Sequence, residues 1–525
     1  MSLPAASWPG VSPSIVCSIH RGASANLCGA GHARPMITFA ARLVQLDPDV
    51  CVTVLVTTRH FDRLVKESTR SFEESDAQAA QRLRVVCVGP ANNMLGDGLI
   101  GPVWKTLLAG EGPVCAQTSI RHSAWPKPNA VVLDIFAIED TKTIRSISGS
   151  TVKLFSWWSG STYALLHLFG DKNIGGRGDV HKQIQEEVGR SGRSYKEVAM
   201  EMTAAVPRGE VVEPPGHPSM YDWELSPQDF DFPEDIVLSV STWTNASQAT
   251  VDGVISISFE SWEPEAFKLA RRWFGETGRP VYIAGPLLPT ASKATAAANE
   301  KTQSAESASI QKLLDDTLAR SGTQSLLYVS FGSQFWPVSS PEKVWAFLDV
   351  VMEMEIPFIM SHASPKAVVP DEVKTKVQAY GKGILSPWAP QQTILDHPAT
   401  GWYVGHGGQN GLTEAIAAGV PMIMWPFNAD QPSNTVLATD VHKIGYELLE
   451  VRTGHGLKKI YRTGYTPVGT VDAVKAEARW VLTQAFGEDG KEKRARLPAI
   501  REALLGEWKE DGRSRRDVLA FLESL

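Results

Sequence analysis

The stretch from Trp388 to Asn434 constrains this chain more than any other. It reads W-A-P-Q-Q-T-I-L-D-H-P-A-T-G-W-Y-V-G-H-G-G-Q-N-G-L-T-E-A-I-A-A-G-V-P-M-I-M-W-P-F-N-A-D-Q-P-S-N. Short apolar runs alternate with loops. Gly401 to Val404 reads as the end of a buried strand, His406 to Gly411 as a glycine-rich turn, and Leu412 to Ala418 as the start of a helix. Val420 to Trp425 is a second apolar strand, followed by a polar loop ending in Asp430-Gln431. A glycine turn opening a helix makes an anion site, because free backbone N–H groups and the positive helix end point at the same spot. His406 and Asn410 add donors, which suits a phosphate. Glu414 lies one helical turn past Asn410 and can accept from vicinal hydroxyls such as those of a ribose. Trp388 offers a flat face to a base. Together these residues describe a nucleotide-sugar site.

The whole stretch, without a gap, resembles the donor-binding box of the family 1 UDP-dependent glycosyltransferases, the plant secondary-product type and its animal and fungal relatives. The resemblance implies a GT-B fold: two facing Rossmann-like α/β/α domains with parallel sheets and an active site in the cleft between them. It also implies roles. Trp388 stacks the uracil, and Ala389 and Gln391 contact its edge or the ribose. Glu414 takes the ribose hydroxyls. Ser333, His406, Asn410 and the N–H of Gly411 hold the diphosphate, with Gly408 in the same turn. Asp430 and Gln431 face the sugar. Two positions depart from the plant pattern H-C-G-W-N-S, which here is H-G-G-Q-N-G. Gln409 stands where a tryptophan lies against the hexose, and Gly411 where a serine binds phosphate. Gln409 leaves the sugar open: UDP-glucose by default, UDP-xylose or another UDP-sugar as alternatives.

The earlier part of the chain alternates strands with helical stretches, as a parallel α/β sheet requires. Strands are expected at Ile15–Ile19, Val50–Thr57, Arg84–Val88, Ala130–Phe136 and Val152–Trp157, and a helix over Met36–Leu46 with Pro35 at its start. His32, in Gly29-Ala30-Gly31-His32, and Asp134, in V-V-L-D-I-F, both follow strands, where functional loops of such sheets gather. Gly31-His32 is not a dinucleotide fingerprint, since G-x-G-x-x-G is absent. In the family that the chain resembles, a histidine after the first strand is the general base and an aspartate orients it. His32 would remove the acceptor hydroxyl proton, and Asp134 would fix its tautomer and stabilise the imidazolium. The loop from His20 to His32 is longer than the family pattern, so His20 is a rival base. Phe136, Trp157 and Trp158 are candidates for the acceptor cleft, with core packing the alternative for each.

The expected organisation is an N-terminal acceptor-binding domain over 1–288, a linker over 289–324 rich in Ala, Ser and Thr, a UDP-sugar domain over 325–490, and C-terminal helices over 491–525. In the family the last helix crosses back onto the first domain, although Lys491 to Arg496 and Arg513 to Leu525 read as solvated faces. A helix over Ala473–Phe486 is expected to place Trp480 and Leu482 on its apolar face.

With 525 residues, 43% of them hydrophobic, the chain can bury more than one core. A net charge of −7 with no long basic run gives no sign of a nucleic-acid or anionic-membrane surface. The five cysteines all lie in the first quarter and never as CxxC, which points to a reducing compartment, hence the cytoplasm. No apolar run reaches transmembrane length, and none reads as a signal peptide. No D-x-D pair or metal spacing stands near the donor box, so no metal and no bound cofactor is expected; the UDP-sugar is a co-substrate. The partners expected are the donor and a lipophilic small-molecule acceptor such as a terpenoid or phenol, and the protein is expected to be a monomer transferring with inversion. The alternatives are a non-catalytic UDP-sugar-binding protein and a transferase acting on a lipid-linked acceptor.

Overall fold

The computed structural model describes residues 13–19, 30–90, 99–135, 137–203, 207, 209–229, 234, 237–238, 241, 250–289 and 306–525. Its first sheet is built from β1 (Ser14–Ile19), β2 (Cys51–Val56), β3 (Leu83–Cys87), β4 (Ala130–Asp134) and β5 (Lys153–Trp158), joined by β8 (Gly253–Ser256) and β9 (Val281–Ile283). Between them β6 (Val211–Val212) and β7 (Met220–Tyr221) form a small separate hairpin. The strand order is β3-β2-β1-β4-β5-β8-β9, all parallel. Parallel strands are covered on both faces, which is why β2 reads CVTVLV and buries every residue.

The second sheet comprises β10 (Leu326–Ser330), β11 (Phe358–Ser361), β12 (Gly383–Ser386), β13 (Thr400–Gly405), β14 (Met422–Met424) and β15 (Gly445–Glu447). Its order is β12-β11-β10-β13-β14-β15, again parallel. In each sheet the order reverses beside the first strand, between β1 and β4 and between β10 and β13. Ligands of open α/β sheets bind at such points, outside the carboxyl ends of the strands. His32 follows β1, Asp134 ends β4, Ser333 follows β10 and His406 follows β13, so chain connectivity alone brings these four to the two switch points.

Several segments differ from expectation. The polar stretch before the second domain contains a helix, Ser307–Ser321, whose Ile310 and Leu314 enter the same apolar cluster as Leu326 and Tyr328. The last helix, Arg513–Glu523, does cross back onto the first domain, as the resemblance implies, rather than lying as a solvated face: Val518, Phe521 and Leu522 pack into its core beside Phe39 and Phe155. Of the pair placed on the apolar face of the Val471–Ala485 helix, Leu482 is buried but Trp480 is 60% exposed. Among the described residues, no helix is long and apolar enough to cross a membrane.

Candidate active site

The helix after β1 spans Ala30–Leu46, so its first turn starts before Pro35 rather than at it. His32 sits in that turn. Its Nδ1 lies 2.6 Å from Asp134 Oδ2. The carboxylate is almost wholly buried at the end of β4, while the imidazole reaches the cleft, with 2% and 22% exposure respectively. Engaging Nδ1 with the carboxylate directs the opposite ring nitrogen, Nε2, to do proton chemistry in the cleft.

Pro35 has a second effect. It lacks an N–H, so the Gly31 carbonyl four residues earlier has no helical partner. Asn410 of the second domain supplies one, its Nδ2 donating to Gly31 O at 2.7 Å.

Across the cleft, all the donor residues named from the sequence line one cavity of about 200 Å³ together with His32: Ser333, Trp388, Ala389, Gln391, His406, Gly408, Gln409, Asn410, Gly411, Glu414, Asp430 and Gln431. Glu414 projects from the Gln409–Ala418 helix and is 7% exposed. Gln391 and Gln392 each donate to one of its oxygens, and Tyr328 orients Gln391 by donating to its Oε1 at 3.1 Å. The His406 ring crowds two glycines. A Cβ on Gly332 (φ +73°) would lie 3.0 Å from its Cε1, and one on Gly408 would lie 2.5 Å from its Nε2. Only glycine lets the backbone approach this closely. Burial pushes the His406 imidazole down to about 4, so at neutral pH it is uncharged and offers a single N–H.

Residues 283–453 match the family of UDP-glucoronosyl and UDP-glucosyl transferases. The UDP-glycosyltransferase eriJ of Hericium erinaceus is 30% identical over 509 residues, 94% of this chain and 96% of that protein. The chain belongs to the UDP-glycosyltransferase family. A plant member, anthocyanidin 3-O-glucosyltransferase 2 of Fragaria ananassa, is 37% identical over 163 residues, 31% of this chain and 33% of its own. The fold agrees with solved relatives of low identity. Phytolacca americana UGT2, complexed with UDP-2fluoro-glucose and pterostilbene, superposes with a TM-score of 0.64 at 18% identity, covering 98% of this chain and 99% of that one. Medicago truncatula UGT71G1, complexed with UDP-glucose, gives 0.65 at 17% identity, covering 98% of each chain. Two parallel-sheet domains facing across a cleft are thus the GT-B architecture of this glycosyltransferase.

Within the glycosyltransferase cleft, the Gln409 amide is engaged by protein groups at both ends. Its Nε2 is 3.3 Å from Ser258 Oγ of the first domain and its Oε1 accepts from Asn434 Nδ2 at 3.2 Å. The amide is a cross-domain tie. Gln431 Oε1 accepts from the backbone of Phe427 and Asn428, which fixes the loop before Asp430. Asp430 Oδ2 accepts from the N–H of Gln409 at 3.2 Å, and the turn at Gly160 approaches its side chain from the first domain. Burial pushes the Asp430 carboxyl up to about 6 despite that bond.

A larger cavity, about 1030 Å³, is lined in part by Asn428 and Ala429. Tyr163, His167, Met202 and Leu225 are among its walls. None of these was found in the sequence, because they come from segments without a motif. The aromatic candidates fare differently. Trp157 is fully buried, its ring 5.2 Å from that of Phe39 in the core of the first domain. Trp158 is 7% exposed and donates its Nε1 to Ser161 O at 2.6 Å. It braces the Ser159–Ser161 turn from beneath rather than lining either cavity. Adjacent residues of β5 point to opposite faces, and both faces are covered by helices, so neither ring reaches the cleft. Phe136 and the rival base His20 lie outside the described residues.

Sequence reading also missed Arg34, Glu67 and Arg70, which line the donor cavity from the first domain. The arginine two residues past His32 was the available signal.

Proposed function

We propose that this chain transfers a sugar, glucose by default, from UDP to a hydroxyl of a lipophilic small molecule, with inversion at the anomeric carbon. The single observation that carries this reading is the His32–Asp134 pair facing the donor cavity. His32 takes the acceptor proton through Nε2 and Asp134 stabilises the resulting imidazolium. The acceptor oxygen attacks the anomeric carbon from the face opposite to UDP, the bond to UDP breaks, and the charge passes to the diphosphate. The helix that starts at Gln409, His406 and Asn410 stabilise that charge. A helix end supplies only about 0.3–2 kcal/mol, so the side-chain donors carry much of the grip. The cavity at Asn428 is the acceptor chamber in this reading; its volume suits a drug-sized ligand. The acceptors that relatives take, such as the anthocyanidin in the name of the Fragaria ananassa enzyme, favour a phenolic or terpenoid alcohol.

The test is UDP release from UDP-glucose and, separately, UDP-xylose, with and without a pool of phenols and terpenoid alcohols. Acceptor-dependent release is expected, undiminished by EDTA. In this reading the leaving group is held by the helix end and side chains rather than by a metal ion. Turnover abolished by EDTA and restored by magnesium would overturn metal independence.

Asp430 gives this reading a pH signature. Its carboxyl titrates near 6, so the sugar loses an anionic hydroxyl acceptor as pH falls through that value. The KM of the UDP-sugar should rise below pH 6 while the affinity for UDP itself does not. Folding has its own sign: the native state holds the extra proton, so stability falls as pH rises from the ordinary carboxylate range to about 6. A flat KM profile from pH 5 to 7 would remove Asp430 from the sugar site.

A further inference from the structure

The first domain meets the donor cavity with a charged cluster that the transfer step itself does not use. Glu67 Oε1 accepts from Arg34 Nε at 2.9 Å and from Arg70 Nη1 at 2.6 Å. Glu67 and Arg70 are 3% and 2% exposed. Burial alone would raise the Glu67 carboxyl, yet Arg34, Arg70 and Arg63 together hold it below its usual range. Two guanidiniums converge on this one carboxylate and place positive charge beside the second domain.

That charge reaches across the cleft at three points. Arg34 Nη2 lies 3.4 Å from Glu414 Oε1. Arg70 Nη2 donates to Gln392 Oε1, and Gln392 Nε2 donates to Glu414 Oε1 at 3.0 Å. The Arg63 guanidinium sits 4.6 Å from the centre of the Trp388 ring.

The acceptor valence of Glu414 now decides the matter. A carboxylate offers about two lone-pair sites on each oxygen. Oε2 receives Gln391, which leaves one site there. Oε1 receives Gln392, with the Arg34 guanidinium in longer ion-pair contact at 3.4 Å. A ribose diol donating to both oxygens therefore brings its hydroxyl at Oε1 up against the long Arg34 contact. Arg34 need not leave the cavity, since its Nε stays on Glu67. Its Nη group then meets the incoming hydroxyl, which donates to Glu414 and accepts from the guanidinium.

We propose that Arg34 is the first domain's half of a ribose clamp. The cis-diol of a ribonucleoside diphosphate is held between Arg34 and Glu414, so the nucleoside is read by both domains at once. The proposal rests on the reading of this cleft as a UDP-sugar site.

The test is calorimetric binding of UDP, 2′-deoxy-UDP and 3′-deoxy-UDP to the full chain and to its Arg34→Met and Arg34→Lys variants. Wild type should prefer UDP over at least one deoxy analogue. Arg34→Met should weaken UDP about tenfold while leaving that analogue at its wild-type affinity, so the preference shrinks by the same factor. Arg34→Lys keeps the charge but not the fork that holds Glu67 and ribose together, so its preference should also fall below wild type; it decides the matter if the methionine variant does not fold. Equal weakening of UDP and both analogues would make Arg34 a structural prop and overturn the proposal, as would unchanged UDP affinity. Failure of wild type to bind UDP would instead overturn the UDP-sugar reading, and the clamp with it.

Discussion

Replacing His32 by alanine is expected to lower kcat by roughly a hundred- to ten-thousand-fold, the range a positioned general base supplies. The geometry makes the effect specific to turnover. His32 is 22% exposed to the cleft and tied to Asp134, whereas most of the residues lining the donor cavity stand on the second domain. UDP affinity should therefore stay at the wild-type value. Asp134→Asn should cost a similar factor, because an amide can hold the ring but cannot stabilise an imidazolium. The double variant should be little worse than either single one, since the pair acts as a unit. Steady-state kinetics with saturating donor measures all three. Wild-type kcat in His32→Ala would move the base elsewhere.

Glu414→Ala is expected to raise the KM of the UDP-sugar by about a hundredfold or more, with a smaller change in kcat. A hydrogen bond to a charged group is worth about 1.5–3 kcal/mol, and in the proposed reading a ribose diol makes two of them to Glu414. The substitution also leaves Gln391, Gln392 and Arg34 without the acceptor that now joins them. Glu414→Gln should fall between, because the shape survives while one oxygen becomes a donor. A donor KM unchanged in both variants would show that the ribose is held by other groups.

The donor cavity was largely legible because its residues are local in sequence: strand, glycine turn and helix follow one another from Trp388 to Gln431. His32 and Asp134 were legible for another reason, the rule that parallel sheets present function at their strand ends. What stayed hidden depends on contacts between distant segments. Arg34, Glu67 and Arg70 form one cluster with Glu414, yet nothing in the spacing of these residues announces it. Gln409 read as a sugar-facing position, and only the proximity of Ser258 and Asn434 shows where its amide goes. Trp157 and Trp158 are indistinguishable by pattern from cleft aromatics, since a strand buried on both faces carries no period. The Ser307–Ser321 helix was hidden by its polar composition, although Ile310, Leu314 and Thr317 stand at helical spacing on its buried face.

Pro35 carries a consequence for how this enzyme could be altered. By helix propensity alone, Pro35→Ala would improve the first helix by about 3 kcal/mol. The same change would hand the Gly31 carbonyl an amide of its own and set it in competition with Asn410. A gain in heat resistance would then come with a looser seam beside His32. The defect in the helix is the docking point, and selection for stability alone would erase it.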